Sequence, residues 1–290
     1  MAIPRLDNGL PATFVAVTQG WEAVEVDTAT GNIIRSLGAA QRPDQSDDEA
    51  AVTGAIQQVW RTSDQQTFVI STCCEPAAGE LFAVGPDQML TAESRLDRFF
   101  TYGWTAGPSP FSDEVATAGL GLQVGSVVGE LRALPSLADE LRQPSGVVAW
   151  KRDGSGLSWI SNNFTPEGGA GLVGVALDEA MPLPMVIELD WVGPGQWLDG
   201  IGAQESGNLV GFLNTENADP EAPSVSSTEG VIFSPDGVLI ATFPVETGSL
   251  WGGYDPSGRV LIYTDGDNVV RWQGLGQSGV LAEGFIHASW

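Results

Sequence analysis

Short runs of apolar and β-branched residues recur along the chain, and each is bounded by glycine, aspartate, asparagine or proline. Such runs are typical of β-strands, and the residues that flank them are typical of tight turns. The clearest series lies at positions 13–18, 67–72, 118–123, 157–162, 208–213 and 259–264. The runs recur roughly every fifty residues, a period that indicates a fold built from structural repeats.

Each run has neighbours that complete a four-stranded unit. A strand that feeds a polar turn precedes it, as in 148–154 and 252–258. A hairpin follows it, as in 23–35 and 230–241. Six such units predict an all-β protein, a six-bladed β-propeller with four antiparallel strands in each blade.

The two ends of the chain predict how the ring closes. The last segment, 285–290, has the pattern of an innermost strand without its three partners, whereas the chain opens at Phe14 with a second strand that lacks an innermost one. We therefore expect a single propeller domain over residues 1–290, whose first blade is shared between about 13–38 and 284–290. Pairing the C-terminal strand with the N-terminal strands would cover edges that otherwise invite aggregation.

Two hairpin motifs resemble those of known propellers. Phe233-Ser-Pro-Asp-Gly237 resembles the hairpin of TolB-type, WD40-like propellers, and Asp27-Thr-Ala-Thr-Gly31 resembles the turn of YVTN-type surface propellers. The third repeat, around 95–145, has no clean copy of either motif. The resemblance implies the fold, and it suggests a binding propeller of the cell envelope or the cell exterior.

Charge narrows the choice of partners. The chain carries 37 acidic and 12 basic side chains, for a formal net charge of −25, and Lys151 is its only lysine. A surface this negative repels phosphate backbones and anionic lipid, so we expect no nucleic-acid partner. Salt adaptation and a high-GC genome that favours arginine both explain the composition.

Location and assembly follow from weaker signals. No apolar run is long enough to cross a membrane, and residues 1–4 lack the pattern of a signal peptide. We expect a mature, extracytoplasmic or cell-surface protein that is a monomer, and a cytoplasmic location stays open.

Blade topology sorts the loops between the two faces of the disc. One face carries tight turns, such as 153–156 and 255–258, which we expect to leave little room for chemistry. The other gathers longer loops rich in carboxylates and amides, where function usually lies. We predict ligand-binding residues there: Cys73, Cys74, Glu75, Asn162, Asn163, Asn214, Glu216, Asp265 and Asp267. Trp104, Trp197 and Trp251, near the same rim, either pack between blades or stack against a sugar ring.

The two cysteines are adjacent, which leaves two interpretations. Cys73 and Cys74 are either free thiols at a strand end or a strained vicinal disulfide that presents a rigid turn to a ligand. The sequence does not choose between them.

Groups for catalysis are scarce. His287 is the only histidine and lies in a predicted strand, so we identify no catalytic residue and expect a binding protein rather than an enzyme. Our first hypothesis is a non-catalytic propeller that engages a protein or a glycan through the long-loop face. The alternative resembles six-bladed lactonases and is a hydrolase with Ca²⁺ at the channel mouth, held by Glu75, Asn162, Asn214 and Asp265. No other cofactor is indicated.

Overall fold

The architecture comes from a computed structural model, which describes part of the chain in atomic detail. The described residues are 4–40, 52, 54–73, 79–101, 107–109, 111–118, 122–127, 131–133, 148–162, 169–177, 185–217 and 224–290.

Six antiparallel sheets of four strands are arranged as blades around a central channel, which confirms the predicted six-bladed propeller. Strands are numbered in chain order. The innermost strands are β4 (Ala55–Arg61), β8 (Gly107–Pro108), β12 (Ala149–Trp150), β16 (Gln196–Ala203), β20 (Leu250–Tyr254) and β24 (Phe285–Ser289). The second strands are β1 (Thr13–Thr18), β5 (Phe68–Cys73), β9 (Glu114–Ala118), β13 (Gly156–Ser161), β17 (Leu209–Glu216) and β21 (Val260–Thr264). The third strands are β2 (Glu22–Asp27), β6 (Gly79–Val84), β10 (Leu122–Ser126), β14 (Gly171–Ala176), β18 (Val225–Phe233) and β22 (Val269–Gly274). The outermost strands are β3 (Ile33–Ala39), β7 (Arg95–Thr101), β11 (Leu131–Ala133), β15 (Met185–Glu188), β19 (Leu239–Pro244) and β23 (Gln277–Glu283). The helical content of the described part is one 3₁₀ turn, Ala92–Ser94.

The second strands read as continuous apolar runs because a neighbouring blade covers each of their faces. In β1, Val15 and Val17 face the core shared with blade 2, while Phe14 and Ala16 face the core shared with blade 6. Every residue of β13 and of β21 is buried. Alternation between polar and apolar positions therefore disappears in these strands, as it does wherever a strand is buried on both sides.

Blade 3 departs from the prediction. Its second strand is β9, which ends at Ala118, and its third strand, β10, begins only at Leu122. The predicted run 118–123 thus spans the boundary between two strands and is wrong as a core strand. In the second strand of this blade, Val115 and Ala116 are fully buried.

The two motif turns adopt the expected hairpin geometry. Gly237 has a φ of +78° and donates its backbone N–H to the carbonyl of Ser234. A Cβ there would lie 2.7 Å from Cγ2 of Ile187 in the preceding blade, so glycine serves both the turn and the contact between blades. In the other motif Asp27 accepts hydrogen bonds from the backbone N–H and the hydroxyl of Thr30.

The ring closes as predicted. The strand order in blade 1 is β24-β1-β2-β3, and β24 pairs with β1 through Ala16 with Ala288 and Val17 with His287. Phe14 lies between Phe285 and Trp290, with ring centroids 6.4 and 6.3 Å away in edge-to-face geometry. The first and last strands of the chain are therefore joined by backbone hydrogen bonds and by an aromatic cluster.

Candidate functional site

The innermost strands of all six blades end at one rim of the channel, where they enclose a cavity of about 130 Å³. We call this cavity the channel mouth. Its defining side chains are Trp60, Arg61, Phe111, Trp150, Arg152, Tyr254 and Trp290. It lies on the face with tight turns, so the expectation that this face has little room for chemistry is wrong. The space exists because small residues line the ends of the inner strands, among them Gly107, Gly202 and Gly252.

Arg61 is held in place within the channel mouth. Its Nη2 donates to Oε1 of Glu25 at 2.6 Å and to Oγ1 of Thr13 at 2.7 Å. Burial lowers the pKa of the Arg61 guanidinium, and the charge of Glu25 opposes that shift. An arginine stays protonated at neutral pH in either case, so Arg61 is a fixed, neutralised cation in the wall.

Arg152 is the second cation of the channel mouth, and unlike Arg61 it forms no ion pair within the described residues. Its guanidinium carbon lies 5.2 Å from the centroid of the Phe111 ring, and the Phe111 side chain is 45% exposed. Within the described residues no carboxylate approaches Arg152 to ion-pair distance. Beside it, the indole N–H of Trp150 donates to the carbonyl of Gly107 at 3.2 Å. The site thus offers a fixed indole, an accessible ring and an available positive charge.

Asp255 anchors the opposite wall. Burial raises its pKa, but hydrogen bonds from Ser257, Arg5 and the backbone outweigh that effect and leave the pKa lowered. The carboxylate accepts from the guanidinium of Arg5, which ties the N-terminal segment to blade 6. The role of Asp255 is therefore to hold the turn after β20 in place.

Asp199 is a candidate functional residue that sequence reasoning missed. It lies in the innermost strand β16, opposite the buried Phe212 and next to a bulge at Gly200. Burial raises the pKa of Asp199 to about 6, and within the described part of the chain no donor bonds its carboxylate. An unpaired, desolvated acid is typical of functional sites. The signal in the sequence was a single acid inside an otherwise uncharged inner strand, Gln196–Ala203.

We expect Asp199→Asn to stabilise the protein at pH 7 by about 1–3 kcal/mol. The folded state binds this proton below pH 6 and the unfolded state only below about 3.9, so ionised Asp199 destabilises the fold at neutral pH. Urea denaturation of the wild type and the variant at pH 7 and pH 4.5 measures the difference. The advantage of the variant should shrink at pH 4.5, and a variant less stable at pH 7 would contradict the assignment.

Asn162 lies where β13 ends, as predicted, and bridges two blades. Its amide donates to the carbonyl of Leu198 at 2.9 Å and accepts from the Leu198 N–H at 3.1 Å. This pair of bonds fastens blade 4 to the inner strand of blade 5. Ligand binding by Asn162 stays a prediction.

Asn214 and its neighbours lie at the rim opposite the channel mouth, where β16 begins and β17 ends. Asn214 is buried, and its Oδ1 accepts from the hydroxyl of Thr228 at 2.7 Å. Trp197 is half-buried directly opposite Asn214 in the sheet, and Glu216 is exposed at the end of β17. The rim therefore does bring Trp197, Asn214 and Glu216 together, and their part in binding is untested.

Asp265 organises the turn that follows β21. One carboxylate oxygen accepts from the backbone N–H groups of Asp267 and Val269, both at 3.0 Å, and the other accepts from Arg271 at 2.6 Å. Asp267 is exposed at the tip. Both oxygens of Asp265 are thus engaged within the protein.

Of the remaining predicted residues, the structure gives the strand position of two, Cys73 and Trp251. Cys73 is the last residue of β5, and Trp251 lies in β20 opposite Tyr263. Cys74, Glu75, Trp104 and Asn163 fall outside the described residues. Ser46-Asp-Asp-Glu49 and Ser136-Leu-Ala-Asp-Glu140 have the sequence pattern of short capped helical turns, and both segments fall outside the described residues as well.

Two further properties bear on the class of protein. Across the described ranges, no three His, Cys, Asp or Glu side chains come together in a way that could hold a metal ion. The same ranges contain no helix with the length and apolarity to cross a membrane.

Fold and channel together define a six-bladed β-propeller whose inner strands enclose a polar and aromatic cavity at one rim. At the level of the fold, this is a TolB-like propeller. The structure of TolB from Acinetobacter baumannii superposes with a TM-score of 0.61 at 11% identity, over 96% of this chain and 65% of that one. A putative TolB from Agrobacterium tumefaciens gives a TM-score of 0.54 at 10% identity, over 93% and 87% of the two chains.

These likenesses show the fold alone. The chain spans about two thirds of the length of the A. baumannii structure. A putative 6-phosphogluconolactonase from Bacteroides fragilis superposes with a TM-score of 0.44 at 13% identity, over 95% of this chain and 96% of that one, a score too low to support a function. No protein-family profile and no curated protein matches the sequence.

Proposed function

We propose that this chain is a binding propeller that acts outside the cytoplasm and engages a partner protein at the channel mouth. The observation that carries the proposal is the ring of aromatic and guanidinium groups at the ends of the inner strands. Tryptophan, tyrosine and arginine are the residue types that dominate the energy of protein interfaces. A concave site that offers them together can accept a projecting side chain of a partner.

Phe111 and Arg152 are the members of this ring best placed to touch a partner. The ring of Phe111 is accessible, and the guanidinium lies against one of its faces. Because Trp150 and Arg61 are already hydrogen-bonded within the wall, they shape the cavity. The long-loop face, which the sequence favoured, lies largely outside the described residues, and its role stays a prediction.

Photo-crosslinking tests the proposal. We expect benzoylphenylalanine in place of Phe111 to crosslink a discrete partner protein in extracts of the source cells. The same group in place of Ile240, exposed on the outer strand of blade 5, is the control. Arg152→Ala should weaken binding of that partner roughly 30-fold, as expected for a residue of about 2 kcal/mol at an interface.

Equal labelling at positions 111 and 240 would contradict the proposal. So would an Arg152→Ala variant that retains full affinity. If a glycan array instead shows binding that depends on Phe111 and Arg152, the partner is a carbohydrate and the protein assignment is wrong.

The alternative function, a Ca²⁺-dependent hydrolase, is tested by melting temperature in a calcium titration. We expect no rise beyond that produced by magnesium at matched ionic strength, because the oxygens of Asn214 and Asp265 already accept hydrogen bonds. A ligand that binds only the folded state must raise its apparent stability. A calcium-specific rise that disappears in Asp265→Asn would favour the hydrolase.

A further inference from the structure

A second cavity, of about 340 Å³, lies between blades 4 and 5 on the face with tight turns. We call it the blade 4–5 cavity. Its apolar lining comes from Trp150, Leu172, Met185, Ala203, Leu209 and Pro235. The volume falls in the range of small-molecule sites, which are mostly apolar with a few polar groups.

Two glycines keep this space open. A Cβ built on Gly174 would lie 3.7 Å from Cε of Met185 and 3.9 Å from Oγ of Ser158, so a side chain there would project into the cavity. A Cβ on Gly207 would meet no atom within 4 Å. Met185 is 50% exposed and covers the cavity from the outer strand of blade 4. The cavity is therefore accessible past a flexible, uncharged side chain.

Two cations stand at one end of the cavity, Lys151 and Arg152. They are two of only 12 basic residues, and one is the sole lysine. Within the described residues neither forms an ion pair. The stem of Lys151 passes over Gly156, where a Cβ would lie 3.0 Å from Cδ of the lysine.

The one carboxylate in the lining is occupied locally. Asp153 accepts from the backbone N–H of Ser155 at 3.0 Å and from its hydroxyl at 2.6 Å, and these bonds are the main cause of its lowered pKa. The nearby Glu205 is paired through both oxygens with Arg259, at 2.6 Å each. Lys151, Arg152 and the ionised Asp153 therefore leave a net charge of +1 at this end of the cavity, in a protein whose formal net charge is −25.

We propose that the blade 4–5 cavity binds a small amphipathic carboxylate, with its apolar part against Leu172 and Leu209 and its head group at Lys151 and Arg152. An apolar lining supplies the affinity for the body of such a ligand. Two adjacent cations supply charge-assisted hydrogen bonds that select a carboxylate over a neutral or positive head group. The site adjoins the partner site of the proposed function, and Trp150, Arg152 and Ala203 border both.

Calorimetry with octanoate, octanol and octylammonium, which differ only in the head group, tests the proposal. We expect octanoate to bind with one site, octanol at least about tenfold more weakly, and octylammonium not at all. Lys151→Met keeps the apolar stem and removes the charge, so it should weaken octanoate and leave octanol unchanged. Lys151→Arg should restore octanoate binding.

Substitutions inside the cavity, at Gly174, and at its exposed rim, at Met185, test whether the ligand binds there. Gly174→Leu should abolish binding of octanoate and octanol, whereas Gly20→Leu, at an exposed glycine in blade 1, should have no effect. If Gly174→Leu does not fold, the pair Met185→Glu and Met185→Gln gives the answer from the exposed rim. The glutamate should weaken octanoate at least tenfold relative to the glutamine.

Equal affinity for octanoate and octanol, tighter binding of octylammonium, or full octanoate binding by Gly174→Leu would overturn the proposal. A leucine-terminated, N-acetylated tripeptide that binds more tightly than octanoate would replace the small carboxylate with a peptide C-terminus. Failure of this proposal leaves the partner site intact, because neither Gly174 nor Lys151 lines the channel mouth.

Discussion

Phe14→Ala is expected to lower the free energy of unfolding by about 3–5 kcal/mol, the usual cost of removing a fully buried aromatic side chain. Phe14 is completely buried where the first and last strands of the ring meet, and its ring touches Phe285 and Trp290 edge to face. Such a loss is a large part of the stability of an ordinary domain. Urea denaturation followed by tryptophan fluorescence measures it.

A double-mutant cycle shows whether the loss comes from ring closure. Phe14→Ala and Trp290→Ala should be non-additive by about 0.5–1.5 kcal/mol, the range for aromatic pairs. Ile34→Ala is the matched control, because Ile34 lies in the same blade with its side chain 55% exposed, and it should cost less than about 0.5 kcal/mol. Strict additivity of the first two substitutions would show that the aromatic cluster does not couple the two ends.

The second large effect concerns acid stability. His287 is 2% exposed in the innermost strand β24, and its ring lies edge to face against Trp60 with centroids 5.9 Å apart. Burial lowers the pKa of His287 to about 3, and its Nδ1 accepts the backbone N–H of Val59 at 3.5 Å. The imidazole is therefore neutral and buried, and it does not line the channel mouth.

The direction in which pH changes the free energy of unfolding follows from the pKa of His287 in the folded protein and in the unfolded chain. Below about pH 6.5 the unfolded chain binds a proton that the folded protein does not bind until about pH 3. The stability due to neutral His287 is thus fully present above pH 6.5 and is lost as pH falls. We expect a loss of about 2 kcal/mol between pH 7 and pH 5, at up to 1.36 kcal/mol for each pH unit.

The free energy of unfolding at pH 7 and pH 5 is best measured in the Asp199→Asn background. Wild-type Asp199 makes the protein more stable as pH falls over this range, which opposes the effect of His287. His287→Phe keeps an aromatic ring against Trp60. In this variant the free energy of unfolding should change little between pH 7 and pH 5. An unchanged slope in that variant would mean that other groups govern acid stability.

Hydrophobic patterning predicted the fold well because a propeller is built from local hairpins. The Asp-Gly and Asp-Thr-Ala-Thr-Gly turns specify their own geometry, and the buried second strands are recognisable as apolar runs. Five of the six predicted runs coincide with second strands to within about two residues at their starts. The failure in blade 3 has the same origin, because Gly-Leu-Gly-Leu resembles a core strand wherever it lies.

The candidate sites were much less accessible to sequence reasoning. Asn162, Asn214 and Asp265 were recognised as polar residues at strand ends, but their side-chain and inter-blade partners include Leu198, Thr228 and Arg271, which lie 36, 14 and 6 residues away in the chain. A sequence pattern does not show that Asn162 fastens the backbone of Leu198 in the next blade. Nor does it show that, among the described residues, no donor bonds the carboxylate of Asp199.

What the sequence determined by itself is the repeat, the number of blades and the closure of the ring, because each depends on short-range patterning and turn chemistry. The tertiary structure alone decided where space and charge meet. Trp60, Trp150 and Trp290 lie far apart in the chain and converge only because six strands end at one rim. Lys151 and Arg152 face an apolar cavity only because glycines in blades 4 and 5 leave it open. The net charge of −25 is the sum over the whole surface, whereas the binding that we propose depends on the few positive groups that folding gathers at one face.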